Sequence, residues 1–296
     1  MTMRIVDAHH HLWDLEACRY PWLMARGVKR FFGDPTPIQK NYLVGDLRQD
    51  AAGYELLGSV HVQVGVAVGE ELVETAWLET TAERDGLPSA IVAFSDLADA
   101  SAAEALAGQQ AYSRVRGIRQ IVGRSEAEDA ATGSGALLHS PAWYEGLALL
   151  REQGLSFDLQ LIPPQLPAAA DLFSRLPGLS VALCHCGSPW DQTPAGIKTW
   201  RQGLRLFAQL PDVSCKLSGF GMFDNNWTSD SIRPLVESCI EIFGVERCMF
   251  GSNFPVDKLH GSYSRLWCAY DEITRGLKEA ERRALFIDNA TRFYRL

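Results

Sequence analysis

Short apolar runs of strand length alternate with longer amphipathic segments along the whole chain. Apolar runs of four to eight residues, bounded by turn residues and separated by helical patterns, are typical of buried parallel strands. We predict eight strands, over Arg4–His9, Leu57–Val64, Ala90–Ser95, Val115–Arg119, Leu155–Gln160, Ser180–His185, Val213–Leu217 and Arg247–Gly251.

Helix signals lie between most of these strands. The segment Glu70–Asp85 has its apolar residues at helical spacing. Ser140 and Pro141 are typical of a helix N-cap and first residue, and Gly154 is typical of its end. A further helix is predicted over Thr199–Leu210, since Pro211 follows it.

Eight strand–helix units of this length predict one α/β domain over residues 1–296, a closed (β/α)8 or TIM barrel. A segment over residues 12–48 contains no predicted strand, and we expect this insert to lie over one end of the barrel. A doubly wound open sheet is the alternative, although no glycine-rich phosphate loop follows any strand.

Composition narrows the functional classes. The net charge of −8 argues against a nucleic-acid partner, and no apolar run approaches the ~18 residues that a membrane span needs. The first strand begins at Arg4, so we expect no signal peptide. Seven cysteines without a C-x-x-C pair then favour reduced thiols and a cytoplasmic location.

The first strand ends in three consecutive histidines. Because side chains alternate across a strand, His9 and His11 are predicted to share a face with Asp7, whereas His10 points away. Two imidazoles on one face at a strand end can converge on a metal ion or a carbonyl oxygen. Solvated histidines at a polar strand end are the alternative.

The sixth strand ends in the sequence Cys184-His185-Cys186. The string suggests a zinc site, but alternation places both cysteines opposite His185. We predict that His185 faces the barrel interior and that both cysteines face the helices as small buried groups.

The same alternation predicts further polar side chains inside the barrel. Charged side chains are costly in a barrel interior without partners, so such a set predicts a pocket for a polar ligand. The residues predicted to bind substrate are His61, Gln63, Arg119, Asp158, Gln160 and Lys216, together with the loop residue Trp190.

The last strand leads into Gly251-Ser252-Asn253-Phe254-Pro255 and then Asp257. This exit predicts that Asn253 lies near the barrel mouth. An asparagine forms hydrogen bonds but cannot take a proton, so it cannot be a general base.

Taken in order, these motifs resemble the amidohydrolase superfamily, specifically the amidohydrolase-2 branch that contains sugar-acid and dicarboxylate lactonases. The resemblance rests on segments from most of the chain, namely residues 7–14, 116–120, 156–160, 185–187, 213–219, 251–257, 288–290 and 293–294.

The resemblance implies a distorted (β/α)8 barrel with its site at the carboxyl ends of the strands. It places the first-strand histidine pair on His9 and His11 and the later histidine on His185. The usual second later histidine is missing, and the usual eighth-strand aspartate is Asn253. These departures make a two-metal site unexpected, and several members of the branch work without a metal.

We therefore predict a lactone hydrolase of sugar-acid or related carboxylate catabolism. His9, His11 and His185 would hold the ester carbonyl oxygen, directly or through one divalent ion such as Zn²⁺. Arg119 and Lys216 would hold a substrate carboxylate, and Asp158, Gln63 and Gln160 would bind hydroxyls. The sequence leaves the general base open between Asp257, Asp158 and a histidine.

Other functions stay open at this level. A metal-dependent amidohydrolase or a decarboxylase of the same superfamily is one alternative, and Asn253 counts against the decarboxylase. The non-enzyme alternative is a degenerate barrel that only binds a sugar acid. We expect a small-molecule substrate and no nucleic-acid or membrane partner, and the sequence leaves room for a homo-oligomer.

Overall fold

The computed structural model describes residues 2–296. Eight strands form a single sheet in chain order, and each is parallel to the next. They are β1 Met3–His10, β2 Tyr54–Val62, β3 Ala90–Ala93, β4 Val115–Ile118, β5 Ser156–Leu159, β6 Val181–Leu183, β7 Val213–Leu217 and β8 Cys248–Phe250.

Helices lie between the strands and after the last one, joined in places by 3-10 turns and by a π-helical segment over Ala284–Asp288. The α-helices are α1 Pro21–Met24, α2 Val44–Asp50, α3 Glu71–Asp85, α4 Ala102–Gln110, α5 Glu126–Thr132, α6 Pro141–Glu152, α7 Leu166–Ser174, α8 Pro194–Ala208, α9 Phe220–Phe223, α10 Ser229–Phe243, α11 Tyr263–Ile273, α12 Glu279–Arg283 and α13 Asn289–Tyr294.

The barrel closes where the end of β1 meets the segment after β8. The Asn253 N–H donates to the His9 carbonyl at 2.7 Å, and the His11 N–H donates to the Phe254 carbonyl at 2.7 Å. The predicted (β/α)8 barrel in a single domain is therefore confirmed, and the open doubly wound sheet is wrong. These bonds also fix His9, His11 and Asn253 beside one another.

The sequence signals located the start of one helix and missed that of another. The Ser140 hydroxyl accepts a hydrogen bond from the Trp143 N–H, and α6 begins at Pro141 as predicted. The start of α8 was predicted five residues late. Thr193 caps that helix by accepting from the Gly196 N–H, and Pro194 is its first residue. Within residues 2–296, no helix is both long and apolar enough to cross a membrane.

Apolar side chains fill both sides of the barrel wall. Outside, Phe157 of β5 packs against Trp143 of α6 in a large cluster between the strands and the helices. Inside, Val60 and Val62 of β2 pack with Tyr294 of α13, which enters the barrel interior. The interior is therefore apolar over part of its length.

The insert over residues 12–48 lies against the segment that follows β8. The Trp13 indole donates to the Lys40 carbonyl at 2.6 Å, and the backbones of Trp13 and Tyr42 pair. The His260 imidazole donates to the Phe32 carbonyl at 2.8 Å. These bonds hold the insert where it can line the mouth of the barrel.

Candidate active site

Three histidines from β1 and the end of β6 lie together at the carboxyl end of the barrel. The ring centroid of His9 lies 5.1 Å from that of His11 and 4.5 Å from that of His185. Both ring nitrogens of His9 are buried and have no hydrogen-bond partner among residues 2–296. An unpartnered buried imidazole at the centre of this group indicates a place for a ligand.

The prediction that Asp7 shares a face with His9 and His11 was wrong. The β1–β2 register shifts between Asp7 and His10, which interrupts the simple alternation along β1. Asp7 accepts hydrogen bonds from the Tyr263 hydroxyl of α11 (3.1 Å) and from the Ser252 N–H (2.8 Å), outside the histidine group. His10 points away as predicted and bonds to the Ser59 hydroxyl.

The prediction for Cys184 was also wrong, whereas that for Cys186 is confirmed. β6 ends at Leu183, and His185 and Cys186 adopt left-handed backbone angles, with φ of 52° and 56°. Alternation no longer applies there, so the Cys184 thiol also faces inward, 3.9 Å from a carboxylate oxygen of Asp158. Cys186 packs in the outer core.

His11, Asn253 and Asp257 form a chain of polar groups. The His11 Nδ1–H donates to the Val62 carbonyl at 2.7 Å, so the lone pair of a neutral ring lies on Nε2. The His11 Nε2 lies 3.3 Å from the Asn253 side-chain oxygen, but both atoms are acceptors in this tautomer, so no direct hydrogen bond joins them. The Asn253 amide donates to Asp257 at 2.9 Å. Asp257 therefore lies behind Asn253 and does not line the cavity.

Asp158 and Lys216 face the interior as predicted, but they bind each other. The Lys216 ammonium donates to Asp158 at 2.5 Å, both side chains are fully buried, and the Tyr294 hydroxyl donates to the same carboxylate at 2.9 Å. This network satisfies both charges inside the protein. Neither residue lines the cavity described below.

Arg119 and Gln160 lie at the cavity and contact each other. A terminal guanidinium nitrogen of Arg119 donates to the Gln160 side-chain oxygen at 3.2 Å, and the other donates to the Gln63 carbonyl. The Gln63 side chain accepts from the Gly65 N–H at 2.6 Å. Gln63 therefore shapes the loop that holds Arg119 and does not line the cavity.

His61 and Trp190 lie away from the histidine group. His61 was predicted to face inward, but Val60 and Val62 occupy the interior face of β2, and the His61 ring accepts from the Leu12 N–H. Trp190 packs edge-on against Phe31 and Phe223, with centroid distances of 5.3 and 4.8 Å. Trp190 therefore packs behind Phe31, whose ring lines the mouth of the cavity described next.

A cavity of about 480 Å³ opens above the histidines. His11, His185 and Asn253 line its inner end, and the aromatic rings of Trp22 and Phe31 from the insert line its mouth. This size suits a small polar substrate held among apolar walls with a few polar groups.

Arg124 and Arg30 also line the cavity, and the sequence patterns did not identify either of them. Arg124 follows the end of β4, where a barrel is expected to place functional side chains, and that rule would have found it. Arg30 lies in the insert and pairs with Glu128 of α5 at 3.0 Å. Its partner is distant in sequence, so no local pattern indicated it.

The histidines are neutral near pH 7. Burial lowers the pKa of His11 to about 3, with the nearby Arg119 charge adding to the effect. Burial likewise lowers the pKa of His9 and of His185 well below the ordinary value. The His185 Nδ1 bonds to the Ser218 hydroxyl at 2.9 Å, which orients the ring.

The comparison with known families agrees with this geometry. The family model named Amidohydro_2, described as amidohydrolase, matches residues 6–296. The chain belongs to the amidohydrolase family. As a member of that family, this amidohydrolase carries its histidines where the barrel strands end.

Two curated relatives span nearly the whole amidohydrolase chain. One is the uncharacterized protein y4mH of Sinorhizobium fredii (strain NBRC 101917 / NGR234), 42% identical over 99% of this chain and 98% of the relative. The other is named L-fucono-1,5-lactonase, from Burkholderia multivorans (strain ATCC 17616 / 249), 29% identical over 98% of this chain and 96% of the relative.

A solved structure has a similar fold. It is an amidohydrolase from Burkholderia multivorans that contains bound zinc, with a TM-score of 0.84 and 27% identity over 99% of both chains.

His9 of this amidohydrolase is suited to bind a divalent ion. His9 has two buried nitrogens without partners among the described residues, and neutral imidazoles are suitable ligands. Ligand atoms of His9, Asp158 and Cys184 also lie within 4.8 Å of one another. However, Asp158 already binds Lys216, and burial raises the pKa of the Cys184 thiol to about 12. The ligand set of His9, His11 and His185 stays a prediction.

Proposed function

We propose that this amidohydrolase hydrolyses a lactone, the internal ester of a sugar acid. The observation that carries the proposal is a group of three neutral histidines, of which His11 and His185 line the inner end of a cavity of about 480 Å³ and His9 lies directly against both. The relative named L-fucono-1,5-lactonase supports it. The proposed partner is therefore a small molecule.

The reaction consists of one addition and one bond cleavage. The oxygen of water adds to the acyl carbon and loses its protons, the ring C–O bond breaks, and the released ring oxygen takes one proton. The products are the open hydroxy acid, as its carboxylate, and one proton. The residues must therefore orient water, stabilise negative charge on the carbonyl oxygen and return a proton to the leaving oxygen.

We assign these tasks to different histidines. His11 accepts a hydrogen bond from the attacking water, since its Nε2 carries a lone pair at the cavity. His9 and His185 hold the carbonyl oxygen, and Ser218 orients His185. A divalent ion held by the three rings would use the His11 lone pair in place of this hydrogen bond, and it would supply stabilisation of negative charge on the carbonyl oxygen.

Neither acid that the sequence suggested as a base has direct access to the cavity. Asp158 accepts from Lys216 and Tyr294, and Asp257 lies behind Asn253. We therefore propose that Asp257 acts through Asn253 as a positioning residue. A lactone is an activated ester, so it needs less help from a strong base than an amide does.

A panel of sugar-acid lactones, assayed by acid release, tests the proposal. We expect turnover of at least one lactone, lowered by on the order of 100-fold in each of His9→Ala, His11→Ala and His185→Ala. His139→Ala is the matched control, because His139 does not line the cavity, and its rate should equal that of the unmodified protein.

Two results would contradict the proposal. Near-normal rates in all three histidine variants would remove the histidines from the reaction. Binding of a sugar acid without hydrolysis of any lactone in the panel would favour the barrel that only binds its ligand.

A further inference from the structure

The backbone of His9 lies at an interruption of the hydrogen-bonded barrel wall. The ladders run from β1 to β8 in chain order, and within residues 2–296 no ladder joins β8 back to β1. On the other side of β1, the register with β2 shifts between Asp7 and His10. Regular ladder pairing is thus interrupted beside His9 on both sides of the strand.

The Asp7 side chain bridges the seam between residues 7–11 and residues 251–254. One carboxylate oxygen of Asp7 accepts from the His9 N–H at 3.2 Å and from the Ser252 N–H at 2.8 Å. The other oxygen accepts from the Tyr263 hydroxyl at 3.1 Å. A single side-chain oxygen therefore joins the backbone of His9 to the segment after β8.

The two segments are packed closely at this bridge. A Cβ atom added at Gly251 would lie 2.7 Å from the His9 Cβ and 2.8 Å from the His9 nitrogen, so the seam has no room for a side chain there. The Asn253 N–H donates to the His9 carbonyl at 2.7 Å. A change in the spacing of the two segments would therefore move His9.

The bridging carboxylate is buried among neutral groups. Asp7 is fully buried, and the three groups that donate to it are all uncharged. Burial of a carboxylate costs free energy, which hydrogen bonds from neutral donors offset only in part. Asp7 does not line the cavity, so contact with a substrate does not account for it. Its contacts indicate a role in placing the backbone at the seam.

We propose that Asp7 is a positioning residue, whose carboxylate holds the His9 backbone against the segment after β8 and so places the His9 ring beside His11 and His185. The inference rests on the proposed lactonase function, in which His9 and His185 hold the carbonyl oxygen. The His9 ring has no hydrogen-bond partner among the described residues, so its backbone and its packing determine where it lies. A displacement of about 1 Å at a reacting centre can lower a rate by on the order of 100-fold.

Two replacements separate the position of the acceptor from its charge. Asp7→Asn keeps an oxygen between the two N–H groups, and its amide can donate to the Tyr263 hydroxyl. Asp7→Glu keeps the charge but moves the carboxylate by one methylene, about 1.5 Å. We expect kcat to stay within about 3-fold in Asp7→Asn and to fall by on the order of 10- to 100-fold in Asp7→Glu, with little change in KM.

Tyr263→Phe is the matched control for stability. It removes one hydrogen bond from the same carboxylate and leaves both backbone bonds in place. This variant should unfold at a lower temperature and keep kcat within about 3-fold. Asp7→Ala removes the acceptor altogether, and its kcat should fall at least as far as that of Asp7→Glu. Thermal unfolding of every variant sets a temperature at which the rates are those of folded protein.

A measurement without turnover separates this inference from the lactonase proposal. NMR spectra of isotope-labelled histidine report the rings of the seven histidines, and His9→Gln assigns the signals of His9. Asp7→Glu should shift the His9 signals, whereas Asp7→Asn and Tyr263→Phe should shift them much less. The signals of the exposed His139 should stay unchanged in every variant.

The outcomes for the two proposals differ. Unchanged kcat in Asp7→Glu, or unmoved His9 signals in that variant, would overturn the positioning role while leaving lactone hydrolysis intact. A loss of kcat in Asp7→Asn as large as that in Asp7→Glu would also overturn it, because the charge and not the position of the acceptor would then matter. Shifted His9 signals in a protein that hydrolyses no lactone would refute the hydrolysis alone.

Discussion

Asp257→Asn should make the protein more stable at neutral and alkaline pH. Asp257 is buried behind Asn253, and it accepts hydrogen bonds from the Asn253 amide (2.9 Å) and the Gly221 N–H (3.3 Å). Burial raises the pKa of Asp257 to about 7 in spite of these donors. The folded protein therefore binds this proton more tightly than the unfolded chain, where the pKa is about 3.8.

The size of the effect follows from the pKa difference. Between about pH 4 and pH 7 the folded state holds more protons than the unfolded state, so the free energy of unfolding falls as the pH rises. Three pKa units correspond to an upper bound of about 4 kcal/mol. Asparagine resembles the protonated acid at every pH, so the variant keeps this stability above pH 7.

Urea unfolding at pH values from 4 to 8 measures the difference. The free energies of the two proteins should be similar near pH 4 and diverge toward pH 8, with Asp257→Asn the more stable. Glu74→Gln is a matched control, since burial also raises the pKa of Glu74 to about 7 and Glu74 does not line the cavity. Parallel curves for the unmodified protein and Asp257→Asn would refute the assignment of a raised pKa to Asp257.

The same variant tests the role of Asp257 in turnover. If Asp257 only positions Asn253, Asp257→Asn should lose the inflection of rate against pH near 7 and keep kcat within about 10-fold. Glu74→Gln should retain the inflection. A loss of kcat above about 100-fold at every pH would show that Asp257 is itself the base.

Two further predictions concern the metal and the interior ion pair. Elemental analysis should find at most one divalent ion per chain, and two tightly held ions would contradict the three-histidine site. Lys216→Met should lower the free energy of unfolding by about 3–5 kcal/mol, because it leaves Asp158 buried and charged. Adding Asp158→Asn should recover part of this loss in the same urea titration, and no recovery would argue against the pair.

Local sequence signals determined the elements of the barrel. Eight apolar runs predicted eight strands, and the Ser140-Pro141 pair predicted the start of α6, because caps and strand patterns depend on neighbouring residues. The three histidines were also found from sequence, since residues at the carboxyl ends of barrel strands converge.

Only the tertiary structure decided which polar side chains reach the cavity. Alternation failed at the register shift in β1 and at the left-handed residues after β6, so Asp7 lies outside the cluster and Cys184 lies inside. Lys216 was predicted to bind substrate, but it is neutralised by Asp158, 58 residues earlier in the chain. Arg30 had no local signal, because its partner Glu128 lies 98 residues later in the chain.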